Sequence, residues 1–209
     1  MSTPGVGLLL IGGEGPRRTA LDALLERRPR VIAADSGFDL ARRLGLEPEL
    51  LVGDLDSLKD SPEYRAFPAE RIRKYPADKD ETDTEIGLRV FRELGIERVV
   101  LAGGGGGSLG HLIGILALFE RELPPAGWYT GGELVQAVDS ELVLEHCRGH
   151  SLSLFPLGGA ARGLSSEGLK WPLDGLEWNR GDAGVSNLCV EDRVVIRVGE
   201  GRMLVVQTL

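Results

Sequence analysis

Two clusters of aspartates in the first half of the chain combine residue types and spacing that suit metal and phosphate chemistry. Residues 53–57 read GDLDS and residues 78–83 read DKDETD, and each cluster follows an apolar, strand-like run. Two carboxylates spaced i and i+2 after a strand can reach one cation, and Mg²⁺ prefers carboxylate, water and phosphate oxygens. The alternative for Asp54 and Asp56 is a turn in which Asp bonds its own backbone. The second cluster, which ends in Thr82 and Asp83 at a predicted helix start, favours a functional site.

A further carboxylate, Asp35, ends the second predicted strand in the segment ADSG. Ligands of open α/β sheets bind along the carboxyl edge of the sheet. Taken alone, Asp35 is better explained as the N-cap of the following helix. With Asp56 and Asp83 predicted on neighbouring strand ends, the interpretation of Asp35 as part of a shared metal shell gains support.

Five consecutive glycines at 103–107 follow a predicted strand and precede a helical run at 111–119. Such a turn presents backbone N–H groups near a helix N-terminus, which suits an anion. Gly105, Gly107 and Gly110 also spell GxGxxG, but a dinucleotide fingerprint sits in the first βα unit with an acidic residue about 20 positions later. Here the turn is late and that position holds Thr130, so a phosphate site is favoured. His111, beside the turn, either caps the helix, lines a pocket or takes part in chemistry.

Composition sets limits on the class of protein. The chain has 209 residues, 42% of them hydrophobic, and a formal charge of −8. This charge gives no general attraction to nucleic acid or to an anionic membrane, so a polyanionic ligand needs local neutralisation by a metal ion. No run approaches the roughly 20 apolar residues of a membrane span, and the start lacks a signal-peptide pattern, so we predict a cytoplasmic protein. Cys147 and Cys189 are far apart in sequence and are predicted to be buried rather than bridged.

The apolar pattern predicts two domains. Up to about residue 120, strand-like runs alternate with helical patterns at 17–28 and 84–94, which predicts a parallel α/β sheet. Beyond the Pro124-Pro125 pair, short strands separated by Gly, Asp and Pro predict an antiparallel sandwich or barrel. The boundary is therefore placed so that domains comprise 1–124 and 125–209. The strands are predicted at 7–11, 31–34, 50–53, 71–75, 99–102, 133–138, 141–145, 151–155, 185–190, 194–198 and 203–207.

The β-rich half contains two segments of interest, GLKW at 168–171 and VSN at 185–187. Trp171 with Ser186 and Asn187 could stack on a flat heteroaromatic ligand and bond its edge. By pattern alone, Trp171 is better explained as sandwich core and Ser186-Asn187 as a turn. The two histidines of HCRGH, at 146 and 150, are predicted to flank a hairpin turn rather than to bind metal.

Taken together, these segments resemble the thiamine pyrophosphokinase family, whose members transfer a pyrophosphoryl group from ATP to thiamine. The resemblance rests on ADSG, VGDLDS, DKDETD, the glycine turn before His111, GLKW and VSN, in the family's order and spacing over nearly the whole chain. It implies a doubly wound, mostly parallel, Rossmann-like α/β domain followed by an antiparallel β-sandwich. It also implies a homodimer that uses ATP and thiamine.

The resemblance further implies roles for individual residues. Mg²⁺ would be held by Asp56 and Asp83, with Asp35 and Asp54 close by, and Asp54 is also the candidate to orient or deprotonate the alcohol. The set implied to be catalytic is Asp54, Asp56 and Asp83. The nucleotide would be bound by Asp78, Thr82, Gly105, Gly106, Gly107 and His111, and thiamine by Trp171, Ser186 and Asn187.

One departure from the family pattern lies just after the glycines. Where the family has an Arg-x-Asp-His run, this chain has Ser108-Leu109-Gly110-His111, and a usual Asn one turn later is Ile115. Two alternatives to a thiamine pyrophosphokinase follow: a related pyrophosphokinase for another heterocyclic alcohol, and a homologue that binds thiamine diphosphate or a nucleotide without turnover. Retention of all four acidic positions argues against the second alternative.

Overall fold

The computed structural model describes residues 5–209, which divide into two compact units. The first unit runs to Ile115 and takes in Trp128–Gly131, and the second comprises Leu116–Gly127 and Gly132–Leu209. The sequence predicted a single break after residue 124. The observed division differs because a short strand at Gly127–Tyr129 joins the sheet of the first unit.

Six strands form the sheet of the first unit: β1 (Val6–Leu10), β2 (Arg30–Ala34), β3 (Leu50–Gly53), β4 (Ile72–Lys74), β5 (Arg98–Ala102) and β6 (Gly127–Tyr129). Their order is β6-β5-β1-β2-β3-β4. β1 pairs in parallel with β2 and β5, and β3 pairs in parallel with β2 and β4. Nearly every residue of β1, β2 and β5 is buried, as expected for parallel strands covered on both faces. The five strands predicted in this region are confirmed.

Five α-helices accompany this sheet: α1 (Asp22–Leu25), α2 (Gly37–Leu44), α3 (Pro62–Arg65), α4 (Asp83–Glu93) and α5 (Leu109–Ala117). The helix predicted at 84–94 is confirmed as α4. The helix predicted at 17–28 is shorter, because the chain makes a 3-10 turn at Arg18–Leu21 and continues as α1 for a single turn. A 3-10 turn at Leu118–Glu120 extends the α5 region.

Glycines allow α4 to lie directly on the sheet. A Cβ atom at Gly7 of β1 would stand 2.7 Å from the ring of Phe91, and one at Gly87 of α4 would stand 2.5 Å from Leu9. Side chains at either position would push α4 away from β1. The start of α4, where Asp83 lies, is therefore fixed against the strand ends that carry the other carboxylates.

Seven strands build the second unit: β7 (Glu133–Val138), β8 (Glu141–Leu144), β9 (Ser151–Pro156), β10 (Ser165–Glu167), β11 (Gly184–Leu188), β12 (Val194–Arg197) and β13 (Met203–Thr208). One antiparallel set has the order β7-β13-β9-β11, and the other has the order β8-β12-β10. Leu152 and Val205 from the first set share a buried cluster with Val194 and Ile196 from the second. The predicted antiparallel sandwich is confirmed.

Candidate active site

The carboxyl ends of β2 and β3 bring Asp35 and Asp83 together around one glycine. A Cβ atom at Gly53, whose φ is +134°, would stand 3.1 Å from Oδ1 of Asp83 and 3.4 Å from Cβ of Asp35. Asp35 itself has φ +45° and Leu55 has φ +61°, both in the left-handed region that is uncommon outside glycine. Strained backbone of this kind clusters at active sites and ligand clamps.

Lys79 lies between the carboxylates of Asp54 and Asp83. Its Nζ atom lies 3.5 Å from Oδ2 of Asp54 and 3.1 Å from Oδ1 of Asp83. The side chains of Lys79, Asp54 and Asp83 are 15%, 23% and 26% exposed, so all three are largely shielded from water. Burial by itself lowers the pKa of Lys79, but the close carboxylates of Asp83 and Asp54 outweigh it and hold the pKa above its ordinary value.

Oδ1 of Asp83 is a buried acceptor with no hydrogen-bond partner in the part of the chain that the structure describes. Lys79 Nζ approaches it at 3.1 Å as an ion pair, but not in the geometry of a hydrogen bond. A buried carboxylate oxygen left without a donor is costly unless a cation satisfies it. This atom points to the position that a metal ion would take.

The donor set fits Mg²⁺ better than a metal that needs a full protein cage. Within residues 5–209, no group of three or more His, Cys, Asp or Glu side chains converges as a metal-holding cluster. Asp54 and Asp83 converge on one cation, Lys79 Nζ. Mg²⁺ is commonly held by one or two carboxylates, with waters and substrate phosphates completing its octahedron.

Asp35 is held by Ser57 rather than acting as a helix cap. Ser57 Oγ lies 2.9 Å from each carboxylate oxygen of Asp35, and α2 begins after Ser36 with no side-chain cap. Burial raises the pKa of Asp35; the hydrogen bond from Ser57 opposes this, and the nearby charges of Asp83 and Asp54 add to it. Asp35 therefore faces the other two carboxylates and is electrostatically coupled to them.

Asp56 stands apart from this group. Its side chain is 52% exposed and its Oδ1 atom pairs with Lys59 Nζ at 2.8 Å. The hydrogen bond from Lys59, reinforced by the charge of that ammonium, lowers the pKa of Asp56. Its backbone N–H donates to Oδ1 of Asp54 at 3.0 Å, so the turn predicted as the alternative role of these two aspartates is present. Asp54 combines both roles, because its Oδ2 faces Lys79.

The loop before α4 is anchored at two points. Thr82 and Glu85 form a capping box, in which Thr82 Oγ1 accepts from Glu85 N at 3.3 Å and Glu85 Oε2 accepts from Thr82 N at 2.8 Å. The Arg89 guanidinium holds Glu81 at 2.9 Å and lies over the ring of Tyr75. These contacts fix the loop that carries Lys79. Asp78, in the same loop, is exposed.

The glycine turn is built against the loop that follows β1. Gly104 N donates to Gly12 O at 2.7 Å, and Gly105 and Glu14 exchange backbone hydrogen bonds at 2.7 and 2.9 Å. The amide of Gly105, predicted to face a phosphate, is therefore already used. Gly106 and Gly107 are exposed, and their amides make no backbone hydrogen bond within residues 5–209. They are the donors in this turn that a phosphate can reach.

The segment that departs from the family pattern, residues 108–111, leads into α5. The carbonyl of Ser108 accepts from His111 N at 3.0 Å and Leu112 N at 3.2 Å, which starts the helix. Ser108, Gly110 and His111 are exposed at this end. Ile115, in place of the family's Asn, is buried, and its Cδ1 atom would lie 2.7 Å from a Cβ at Gly104. Ile115, at the position where the family has Asn, therefore packs against the glycine turn as an apolar side chain.

In the second unit, Asn187 holds the backbone of Trp171. Asn187 is buried, its Oδ1 accepts from Trp171 N at 3.2 Å and Leu188 N at 2.8 Å, and its Nδ2 donates to Trp171 O at 2.7 Å. The pattern favoured a core position for Trp171, but its side chain is 54% exposed, with Lys170 Nζ 4.6 Å from the ring centroid. Ser186 is exposed at φ +61°.

Sequence reasoning missed Lys79, Ser57 and Arg89. A signal was available for Lys79, which stands four residues before Asp83, a spacing typical of ion pairs near a helix. No signal was available for Ser57, whose partner Asp35 is 22 positions away.

An open parallel sheet with carboxylates along its carboxyl edge is the arrangement of an enzyme that handles phosphate groups. Two family models match the chain: the thiamin pyrophosphokinase catalytic domain over residues 21–124, and the thiamin pyrophosphokinase vitamin B1 binding domain over residues 140–203. The chain belongs to the thiamin pyrophosphokinase family and has the function of a pyrophosphokinase that acts on thiamine.

Solved structures share the fold. The thiamine pyrophosphokinase of Bacillus subtilis aligns with a TM-score of 0.81 at 21% identity, covering 97% of this chain and 98% of that chain. The enzyme of Geobacillus thermodenitrificans gives 0.77 at 21% identity, covering 98% and 97%. The yeast enzyme gives 0.70 at 18% identity, covering 100% and 88%. No curated protein sequence matches the chain. Among residues 5–209, no helix has the length and apolar character needed to cross a bilayer.

Proposed function

We propose that the chain transfers a pyrophosphoryl group from ATP to the hydroxyl of thiamine, releasing AMP, and that the reaction requires Mg²⁺ bound at Asp54 and Asp83. The observation that carries this proposal is the pair of shielded carboxylates converging on one cation, with a buried oxygen of Asp83 left without a donor. Asp35 lies next to Gly53 and feels the charges of both carboxylates, so it is proposed to support the site rather than to hold the ion directly.

The bound Mg²⁺ would offset the negative charge that develops on the phosphate oxygens during transfer. Asp54 and Asp83 hold the ion, and Ser57 keeps Asp35 turned toward them. Asp56 joins the shell in this proposal only after releasing Lys59, with which it is paired here. Because Oδ1 of Asp54 already accepts from the Asp56 amide, Oδ2 is the oxygen left to hold the ion, and Asp54 is proposed to orient the substrate alcohol through that ion.

The nucleotide is proposed to lie against the exposed parts of the first unit. The amides of Gly106 and Gly107 are the phosphate donors of the glycine turn, while Gly105 contributes by holding the turn's shape. Thr82 places the N-terminus of α4 toward the anion through its capping box. Asp78 and His111 are exposed and are proposed to contact the sugar or base.

Thiamine is proposed to use the exposed ring of Trp171 in the second unit. An exposed aromatic ring attracts a cationic heteroaromatic ligand, which would take the place that Lys170 Nζ has beside the ring here. Asn187 acts by fixing the backbone that carries this ring, and Ser186 offers an exposed hydroxyl.

The test is to incubate the protein with ATP, thiamine and Mg²⁺ and to measure AMP. Asp83→Asn and Asp54→Asn should each lower AMP formation at least about a hundredfold, the scale that loss of one electrostatic group has in other active sites. Asp60→Asn is the matched control, because the Asp60 carboxylate is fully exposed and pairs weakly with Arg65 at 3.6 Å. ADP as product, or full activity in excess chelator, would refute the proposal.

A second candidate, a pyrophosphokinase for another heterocyclic alcohol, is favoured by Ser108 and Gly110. A Cβ at Gly110 would meet no atom closer than 3.6 Å, so an aspartate fits there without strain. If the departure alters substrate choice, the double variant Ser108→Arg with Gly110→Asp should raise thiamine turnover, because a guanidinium offers phosphate a fork of donors. Rapid thiamine turnover in the parent protein would exclude this candidate. No AMP from any tested alcohol would favour the non-catalytic homologue.

We further propose that the protein acts as a homodimer in the cytoplasm. Leu109 and Ile113, spaced i and i+4 on α5, are 70% and 57% exposed, and Val185 in the second unit is 67% exposed. The two exposed apolar side chains one turn apart on α5 favour contact with a partner protein. Light scattering tests the assembly: Ile113→Glu should yield monomers if α5 lies in the interface. Full activity of a strict monomer would refute the dimer.

A further inference from the structure

The ammonium of Lys79 occupies the place between Asp54 and Asp83 where the proposed Mg²⁺ would bind. Its Nζ atom is 3.5 Å from one carboxylate and 3.1 Å from the other, and its side chain is only 15% exposed. A metal ion held by both carboxylates needs their oxygens at about 2.0–2.1 Å. The ammonium and the metal ion therefore compete for the same space and the same two charges.

We propose that Lys79 is an internal counter-cation that a divalent ion must displace before the active site can form. The inference rests on the proposed metal role of Asp54 and Asp83. In the metal-free protein the ammonium offsets two shielded carboxylates that would otherwise repel each other. When the divalent ion binds, the ammonium leaves the cluster, and its charge becomes available to the substrate phosphates.

The contacts around the cluster make Lys79 the relevant cation. Lys59 pairs with Asp56 on the exposed side of the turn, at 2.8 Å. Lys74 is exposed at the end of β4, and its charge acts on Asp56 from a distance. Lys79 is largely shielded from water and stands between the two carboxylates. Arg89 binds Glu81 in the same loop, which keeps the backbone of Lys79 beside the cluster while its long side chain can still turn away.

Displacement has a consequence that activity measurements do not report. If the ammonium must leave, removing it should tighten metal binding, whereas a lysine that merely supports the loop should not affect it in that direction. It should also destabilise the metal-free protein selectively, because the carboxylates then lack a counter-charge. A divalent ion would replace that charge and restore stability.

The experiment measures Mn²⁺ binding to the full chain without nucleotide, by electron paramagnetic resonance of the free ion. Lys79→Gln should lower the dissociation constant at least about tenfold relative to the parent protein. Lys79→Arg keeps the charge and should retain weak binding. Lys74→Gln is the matched control, since it removes the same charge near the cluster without an ion pair to Asp54 or Asp83, and should change the constant by less than about twofold.

Melting temperatures give the second readout. In chelator, Lys79→Gln should melt below the parent protein, and saturating Mn²⁺ should close that gap, while Lys74→Gln should follow the parent in both conditions. An unchanged or weaker Mn²⁺ affinity in Lys79→Gln would overturn the displacement and leave the reaction intact. A parent protein that forms AMP at full rate in excess chelator would instead overturn the proposed function, and the displacement with it.

Discussion

Replacing Asn187 with leucine tests whether this residue is an element of structure or a ligand contact. The side chain makes three hydrogen bonds, two to the backbone of Trp171 and one to Leu188 N, and is buried. Leucine has a similar size but no donor or acceptor. Asn187→Leu therefore leaves the N–H and C=O of Trp171 without the partners that hold them.

The expected cost follows from the number and burial of these bonds. A typical hydrogen bond contributes about 0.5–1.5 kcal/mol to stability, and a buried group left unpaired adds to the loss. Since the Trp171 ends of these bonds are partly accessible to water, we expect the lower half of that range for each of the three bonds, or about 1.5–3 kcal/mol in total. For a chain of this size, each 1 kcal/mol shifts the melting temperature by roughly 2–4 °C.

The assay is urea unfolding followed by circular dichroism and tryptophan fluorescence. Asn179→Leu is the matched control, because Asn179 is exposed and its side-chain oxygen accepts one hydrogen bond from the half-buried Arg162, at 3.1 Å. It should change stability by less than about 0.5 kcal/mol. Equal stability of Asn187→Leu and Asn179→Leu, with thiamine binding lost only in the former, would show that Asn187 is a direct ligand and that the structural reasoning is wrong.

Three further predictions concern the turn, the helix cap and a thiol. Gly103→Ala should leave little folded protein in a thermal melt, since the φ of residue 103 is +117° and the new Cβ would lie 2.1 Å from Ile11 O. Gly107→Ala, whose Cβ meets nothing closer than 4.0 Å, should melt like the parent protein. Thr82→Ala should cost about 1 kcal/mol in urea unfolding by removing the capping box, and Thr82→Ser should restore it. Burial and a neighbouring thiol raise the pKa of Cys189 to about 12. In this pH range the folded state keeps the thiol proton while the unfolded state loses it, so the free energy of unfolding should fall as pH rises from about 9 toward 12. Ellman's reagent should label Cys189 at pH 8 only in denaturant. Rapid labelling of the native protein would contradict the burial of this thiol.

The strand pattern was predictable because buried strands appear in the sequence as short runs of apolar residues. The runs at 50–53 and 133–138 match β3 and β7 residue for residue. The short edge strand β10 was missed, since three residues of Ser, Ser and Glu carry no apolar signal. Helix α1 was predicted too long because Leu21, Leu24 and Leu25 have helical spacing, but the chain tightens into a 3-10 turn before it.

The cysteines show how distance in sequence misleads about distance in space. Cys147 and Cys189 are 42 positions apart, and the sequence predicted only that both would be buried. That prediction is confirmed, and both thiols are free. In the fold both thiols lie in the same buried cluster. Two backbone hydrogen bonds bring the segments together: Cys189 N donates to His150 O, and Gly149 N donates to Cys189 O.

The sequence by itself indicated which residues could perform the chemistry, because carboxylates after apolar strands and a glycine run before a helix are local features. The tertiary structure decided which of them act together. Asp35 and Asp83 lie beside Gly53 because parallel strands β2 and β3 end at one edge of the sheet, and Lys79 links Asp83 to Asp54. Asp56, equally well spaced in sequence, turns outward to Lys59. Side-chain direction after a turn depends on φ and on long-range partners, and neither is encoded in residue spacing.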